Sequence, residues 1–450
     1  MEGTKLHLPD TDGDRAMMRE AEIKPYLFPR TDLLPPHPSP SPEGRGVKFG
    51  EGETKSREYD DGARGKSFSG GQGGFTLIEL LVTIVISLFA IAATTSLFGQ
   101  LFAQFKQESR VSQTDIGSAI GLQYLQKDIQ GAGYGLPWNL GGLNYNEYSG
   151  TGNALNGNDA PAGAPRAIFS IPNAGVNNSD YLVIKSQSIG FASDSAAGKF
   201  SILNSTGPKQ WGQPTPDLNY DFSPSDNVIV ESTSNGTPSL VTSGGSFYAL
   251  YNGVTAFAPT GPRQTYMIYG IADAANAPHG LRMPFNRADY FITPHDGIVP
   301  AAGNCPAQTV PVPSRCAPGT GELVKAVLNP DSQTGGCFTY YPILDCVGDM
   351  KVEFDLYVNK SDVLSNDIYT NPLSASQIRQ QVKEVRVFIL AQEGQKDPSY
   401  KYPANLNPIF LGDPGVGANY TLDLTNDANS QLNYRWKVYT IIEKPMNLGQ

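Results

Sequence analysis

The stretch GGFTLIELLVTIVISLFAIAATTSLF, Gly73 to Phe98, constrains this chain more than any other. From Leu80 to Leu97 it runs eighteen residues without a charge. A helix needs about 20 apolar residues to cross a bilayer, and Phe75 to Leu97 meets that length. The one charge inside is Glu79, close to the N-terminal end. A carboxylate in lipid costs a few kcal/mol and persists where a cation compensates it.

Three readings of the run follow. It is a plain single-span anchor; or a secretory signal, with Ala90-Ile91-Ala92 as a small-x-small cleavage pattern; or a span whose Glu79 awaits a partner. For the third, a cut between Gly74 and Phe75 creates an α-amino group four residues before Glu79. Positions i and i+4 share a helix face. The amine of one subunit could then pair with Glu79 of its neighbour. Lys55, Arg57, Arg64 and Lys66 precede the span, against Lys106 and Arg110 after it. That excess puts the N-terminal side in the cytoplasm.

Gly74-Phe75-Thr76-Leu77-Ile78-Glu79-Leu80-Leu81-Val82 resembles the cleavage signal of type IV prepilins. The resemblance implies cleavage after Gly74 by a prepilin peptidase and N-methylation of Phe75. It implies an assembly charge on Glu79 and a pilin-like α+β fold: a long hydrophobic N-terminal helix followed by a large antiparallel β-rich head. It divides the chain into a leader (1–74), an assembly helix (75–130) and a head (131–450). The family's leaders are short and basic; this one is long, Pro-rich and slightly acidic, as in PPHPSPSPEGRG. We expect an unstructured or over-annotated extension there.

The helical pattern continues through Leu101, Phe102 and Phe105, then Ile116, Ile120, Tyr124, Leu125 and Ile129, to stop signals at Gly131 and Gly133. A helix from Phe75 to Gln130 would be roughly 84 Å long. Gly117 and Gly121 weaken it by about 1 kcal/mol each, or allow close packing. The exit, Leu125 to Gly135, resembles PilW-type minor pilins, with an acidic residue ahead of a Gly/Ala/Tyr cluster. Tyr340 to Tyr357 and Tyr434 to Asn447 resemble them less specifically. The resemblance implies a minor pilin held in the inner membrane, head in the periplasm, and then exported on a pilus. Its implied partners are major and minor pilins, the inner-membrane assembly platform and membrane lipid. A J-type pseudopilin of type II secretion and a tip adhesin or DNA-uptake pilin are the alternatives.

Beyond the exit the pattern is β. Met350, Val352, Phe354, Leu356 and Val358 alternate with Lys351, Glu353, Asp355 and Tyr357, as a half-buried strand does. Val385, Val387 and Ile389 alternate behind Ser374-Ala375-Ser376-Gln377, a capped short helix. Tyr434, Trp436 and Val438 alternate with Arg435 and Lys437. Further strands are expected near 181–184, 228–230, 247–251, 266–269 and 323–328, paired antiparallel for want of crossover helices. Gly141–Pro165 and Pro294–Gly321 read as surface loops.

Cys305, Cys316, Cys337 and Cys346 all follow the apolar run. An even count in an exported region reads as two disulfides. Three pairings are possible, and short-loop closure favours Cys305–Cys316 with Cys337–Cys346.

No catalytic constellation emerges. Outside residues 1–74 the histidines are His279 and His295, and no CxxC, HExxH, GxSxG or P-loop occurs. No cofactor is implied. Asn156 to Asp159 and Asp423 to Asp427 carry oxygen ligands suited to Ca²⁺ but lack EF-hand spacing, so polar turns are the reading. No metal site is expected. Residues 1–74 hold 11 basic and 13 acidic residues, leaving 22 basic against 30 acidic in the rest. A polyanion would find little attraction there. The aromatic and basic mixture at Tyr434 to Tyr439 is better explained by a strand with a solvated basic edge than by a nucleic-acid surface.

Overall fold

The structure is a computed structural model. It describes residues 74–190, 196–212, 220–233, 236–272, 280–299, 305–331, 336–370, 372–424 and 430–449. Nearly all of the expected leader, His279 and the 425–427 part of the Asp423–Asp427 stretch lie outside these residues, as do the side chains of Arg110 and Ile116. The chain divides into two units, Met1–Phe75 and Thr76–Gln450. The second holds one long apolar helix followed by a large antiparallel β-rich domain.

The helix runs from Leu77 to Gln130, 54 residues, or about 81 Å at 1.5 Å per residue. It begins two residues later than expected because Thr76 takes the N-cap. Its character changes along its length. From Leu77 to Phe105 the described apolar side chains are exposed, whereas Leu122, Leu125 and Ile129 are buried in the main core. Asp128, on the same docked turn, accepts a hydrogen bond from Tyr290 Oη at 2.6 Å and pairs with Lys325 Nζ at 2.7 Å. The acidic residue noticed at the helix exit is thus a buried clamp onto two strands. Gly131 caps the helix. Gly133 turns the chain with φ +81°, a left-handed conformation suited to glycine.

The main sheet is antiparallel throughout. Its strands lie in the order Ile168–Ile171, Tyr181–Lys185, Arg287–Ile292, Gly321–Leu328, Phe338–Val358, Val382–Glu393 and Arg435–Glu443, with Ser361–Ser365 on the end of the long strand. Tyr181–Lys185 and Arg287–Ile292 are hydrogen-bonded neighbours, yet about a hundred residues separate them. That insertion carries a second, smaller sheet with its own core around Val228, Val230, Val254 and Ile268. The short helix Ala375–Gln381 has the expected capping box between Ser374 and Gln377.

Two expectations need correction, on the 350–358 strand and on the disulfides, and the two loops need qualification. The 350–358 run is not a half-buried strand: from Cys346 to Phe354 every residue is buried. One face of the sheet packs Val385, Val387 and Ile389 into the main core. The other packs Phe388, Leu390, Tyr434 and Trp436 under the Ile409–Leu411/Ala418–Tyr420 hairpin. Gly141–Pro165 is largely exposed, as expected of a surface loop, but Tyr145, Glu147, Tyr148 and Ala154 are buried and anchor it. Pro294–Gly321 likewise buries Cys305, Val310, Ala317 and Thr320. The disulfides join Cys305 to Cys337 and Cys316 to Cys346, not the short-loop pairs. Cys337 precedes the long strand and Cys346 lies within it. Nine residues of extended chain span about 30 Å, well beyond disulfide reach. Each observed bridge closes a loop of about 30 residues, worth about 3–4 kcal/mol by chain entropy.

The two helix glycines divide sharply. A Cβ on Gly121 would stand 1.7 Å from the Ile343 carbonyl oxygen, whereas one on Gly117 meets nothing within 4 Å. Gly121→Ala should therefore unseat the docked helix end, costing about 1–3 kcal/mol. Gly117→Ala should be neutral or stabilising by up to about 1 kcal/mol. Thermal unfolding of the two variants checks the contrast.

Candidate functional site

The apolar half of the helix is the feature that needs an explanation outside the chain. Leu77–Lys106 spans 30 residues; its most apolar 18-residue window has a mean hydropathy of 2.5, and none of that window is buried. By length and composition it can cross a membrane. Each large side chain left in water forfeits about 1.5–3 kcal/mol. Several hydroxyl side chains in the span bond back to the helix backbone. Thr83 Oγ1 donates to Leu80 O at 2.9 Å, Ser87 Oγ to Thr83 O at 2.7 Å and Thr95 Oγ1 to Ile91 O at 2.8 Å. No donor among these needs water, as hydrocarbon demands.

Glu79 is the single charged residue between Leu77 and Phe105. Its carboxylate accepts from the Thr76 N–H at 3.1 Å and from the Thr76 hydroxyl at 3.2 Å. Thr76 Oγ1 in turn accepts from the Glu79 N–H at 3.3 Å. This reciprocal capping box satisfies donors that every helix start leaves open. It also sets the acid at the positive end of the helix dipole. The Thr-x-x-Glu spacing was visible in the sequence, but reading Glu79 only as a charge awaiting a cation passed over it. Phe75 is 85 % exposed. Nothing lies within 4 Å of a Cβ built on Gly74.

Residues 70–95 match the prokaryotic N-terminal methylation motif. No curated protein and no solved structure matches the chain. The motif points to a type IV pilin-like or pseudopilin-like protein, a structural class, and implies processing by a prepilin peptidase and assembly with other pilins.

The head contains a buried ionic network that alternation could not reveal. Every N–H of Arg287 has an acceptor. Nε and one Nη face Asp289 at 2.7 Å each, and the others reach Glu147 at 2.9 Å, Asn158 at 2.8 Å and the Ala154 carbonyl at 2.7 Å. Lys185 Nζ lies 2.9 Å from Glu147 and 2.6 Å from Asp159. Asp159 also holds Arg166 at 2.6 Å. Burial acts to raise the Asp159 pKa, but Lys185 and Arg166 outweigh it and hold the carboxyl below its ordinary value. Asn158 and Asp159, weighed as Ca²⁺ ligands, are thus engaged with the protein's own cations. Arg435 pairs with Asp397 at 3.1 Å and Lys437 with Glu393 at 3.0 Å, which neutralises the basic edge at the C-terminus.

Other buried carboxyls are less well compensated. Burial pushes Glu231 up to about 8, against a counteracting Arg379. Burial, then the neighbouring Asp345, pushes Glu322 up to about 9, and burial pushes Asp349 up to about 7. A carboxyl whose folded pKa is raised binds its proton more tightly in the native state. Stability then falls as pH rises from the ordinary carboxylate range to the raised value. The melting temperature should drop between about pH 5 and pH 9. Glu231→Gln should shrink that drop and raise stability at the alkaline end; an unchanged pH profile in this variant counts against the assignment.

Proposed function

We propose that this chain is a PilW-type minor pilin. It is made as a prepilin, cut between Gly74 and Phe75 and N-methylated on Phe75. The Leu77–Lys106 span holds it in the inner membrane with the head in the periplasm until it is drawn into a pilus. The observation that carries this reading is a lone carboxylate, Glu79, at the start of an uncovered apolar helix, just behind Gly74-Phe75. Support for the finer family comes from the helix exit, where Asp128 clamps the helix to the sheet just before the glycine turn.

Cleavage would place a new α-ammonium on Phe75, four residues before Glu79. Paired with a neighbour's Glu79, it compensates the acid within the apolar core and sets axial register. The rest of the span packs helix on helix. A head of more than three hundred residues suits a filament tip or priming complex better than a repeating shaft position. Quantitative labelling of purified pili tests that placement: near-stoichiometric abundance along the shaft overturns it. Gene deletion separates the pilus from the secretion alternative, through loss of pili or loss of exported protein.

Mass spectrometry of the mature N-terminus should find N-methyl-phenylalanine at residue 75. A start near Ala93 would instead mean a cleaved secretory signal and a soluble product. In Glu79→Ala the processed form should accumulate while its share of sheared pili falls. Wild-type incorporation of that variant would sink the charge-pairing role.

A further inference from the structure

On the head, four stretches of chain distant in sequence converge on a polar cleft of about 630 Å³. That volume lies in the range of small-molecule sites. Its walls are tied to one another by side-chain amides. Asn177 Nδ2 donates to the Gly319 carbonyl at 2.7 Å and to the Gly348 carbonyl at 2.8 Å. Gln431 Nε2 donates to the Pro318 carbonyl at 2.9 Å and to Tyr420 Oη at 3.2 Å. The Cys316–Cys346 disulfide fastens the Pro318–Gly319 wall to the long strand. The cleft is therefore preorganised, which lowers the cost of binding.

The groups that line it restrict the ligand. Asp349 is 2 % exposed and lines the cleft. One of its oxygens accepts from the Met350 N–H at 2.7 Å. Lys351 stands 3.9 Å away, and among the described residues no other donor hydrogen-bonds to the carboxyl. Lys351 is not free for an anion: its three N–H donors meet Asn173 Oδ1 at 2.9 Å, the Asn178 carbonyl and Asp180 at 3.5 Å. Asp349 and Asp423 on the lining oppose an anion as well. Among the described residues no group of three or more His, Cys, Asp or Glu could hold a metal. What remains is a carboxyl with acceptor capacity, side-chain amides on the rim and the half-buried ring of Tyr420. That is a set for hydroxyl donors on a ring with one apolar face.

We propose that this cleft binds a neutral saccharide, with Asp349 accepting hydroxyl hydrogens and Tyr420 supporting the sugar's apolar face. The inference stands apart from the membrane reading, because nothing in it depends on how the chain is processed or assembled.

The test uses the full chain purified in a zwitterionic detergent that contains no sugar. It is applied to immobilised glucose, galactose, mannose, N-acetylglucosamine and their disaccharides, with glucosamine and glucuronate as charged controls. Retention on at least one neutral sugar, competed by the same sugar free in solution, is expected. Measured at about pH 8, where a carboxyl pushed up to about 7 is mostly ionised, Asp349→Asn should weaken binding by about tenfold or more, the loss of one charge-assisted hydrogen bond. Asn419→Trp, placed on the exposed rim, should block the cleft and abolish retention; it decides the matter if Asp349→Asn does not fold, as judged by thermal unfolding. Three results overturn the proposal: no neutral sugar retained, preference for a charged control, or retention unchanged in the folded variants.

Discussion

One uninterrupted helix has to satisfy two surroundings, and the rest of the molecule follows from how it does so. Along its first half the apolar side chains project on all sides and find no cover among the described residues. In its last four turns a single stripe is buried, and Asp128 is locked to Lys325 and Tyr290. The docked end needs more than apolar contact. A free stretch of this length acts as a lever on the head, and a buried ion pair resists rotation and sliding in a way that interchangeable leucines do not. Gly121 serves the same end by letting the helix backbone reach the Ile343 carbonyl.

The head meets a different difficulty. Its long strand is covered on both faces, so residues that would ordinarily face water are trapped. Lys185, Arg287, Lys325 and Lys351 are all buried on strands of the main sheet. Desolvation of that many ions would unfold the domain unless each had a partner. The partners come from the segments that cover the sheet: Glu147 and Asp159 from the 141–165 segment, Asp128 from the helix and Asp180 from the turn before its strand. The covering segments are therefore held by charge as much as by apolar contact. Removing one partner would cost more than the pair contributes.

How much of this was legible in the sequence depends on the range of the interaction. The membrane-grade span, the capped short helix at Ser374 and the strands at 181–184, 228–230, 266–269 and 323–328 rest on local pattern, and they are present. The strand Arg287–Ile292 was missed because Arg287 and Asp289 break its alternation, and their burial depends on Glu147, 140 residues away. The disulfide partners were misjudged for a related reason. Loop length is read from sequence, but which cysteines meet is set by the hairpin that pairs Leu328 with Phe338 and Gly321 with Val347. The Thr76–Glu79 box was the reverse case, a local signal overlooked beside a more conspicuous charge.

That box bears on why a cut after Gly74, under the proposed processing, is compatible with a stable helix start. Such a cut leaves Thr76 in place, so the N-cap hydroxyl and the N–H that Glu79 accepts both survive. A cut two residues further on would remove Thr76 and with it the N-cap hydroxyl and the N–H that Glu79 accepts. On that proposal Glu79 is satisfied by its own helix before assembly, and a Phe75 ammonium would be an additional partner rather than the first one. Exchange from an intrachain cap to a shared ion pair replaces one set of donors with a stronger one. The acid need never be bare in the apolar phase.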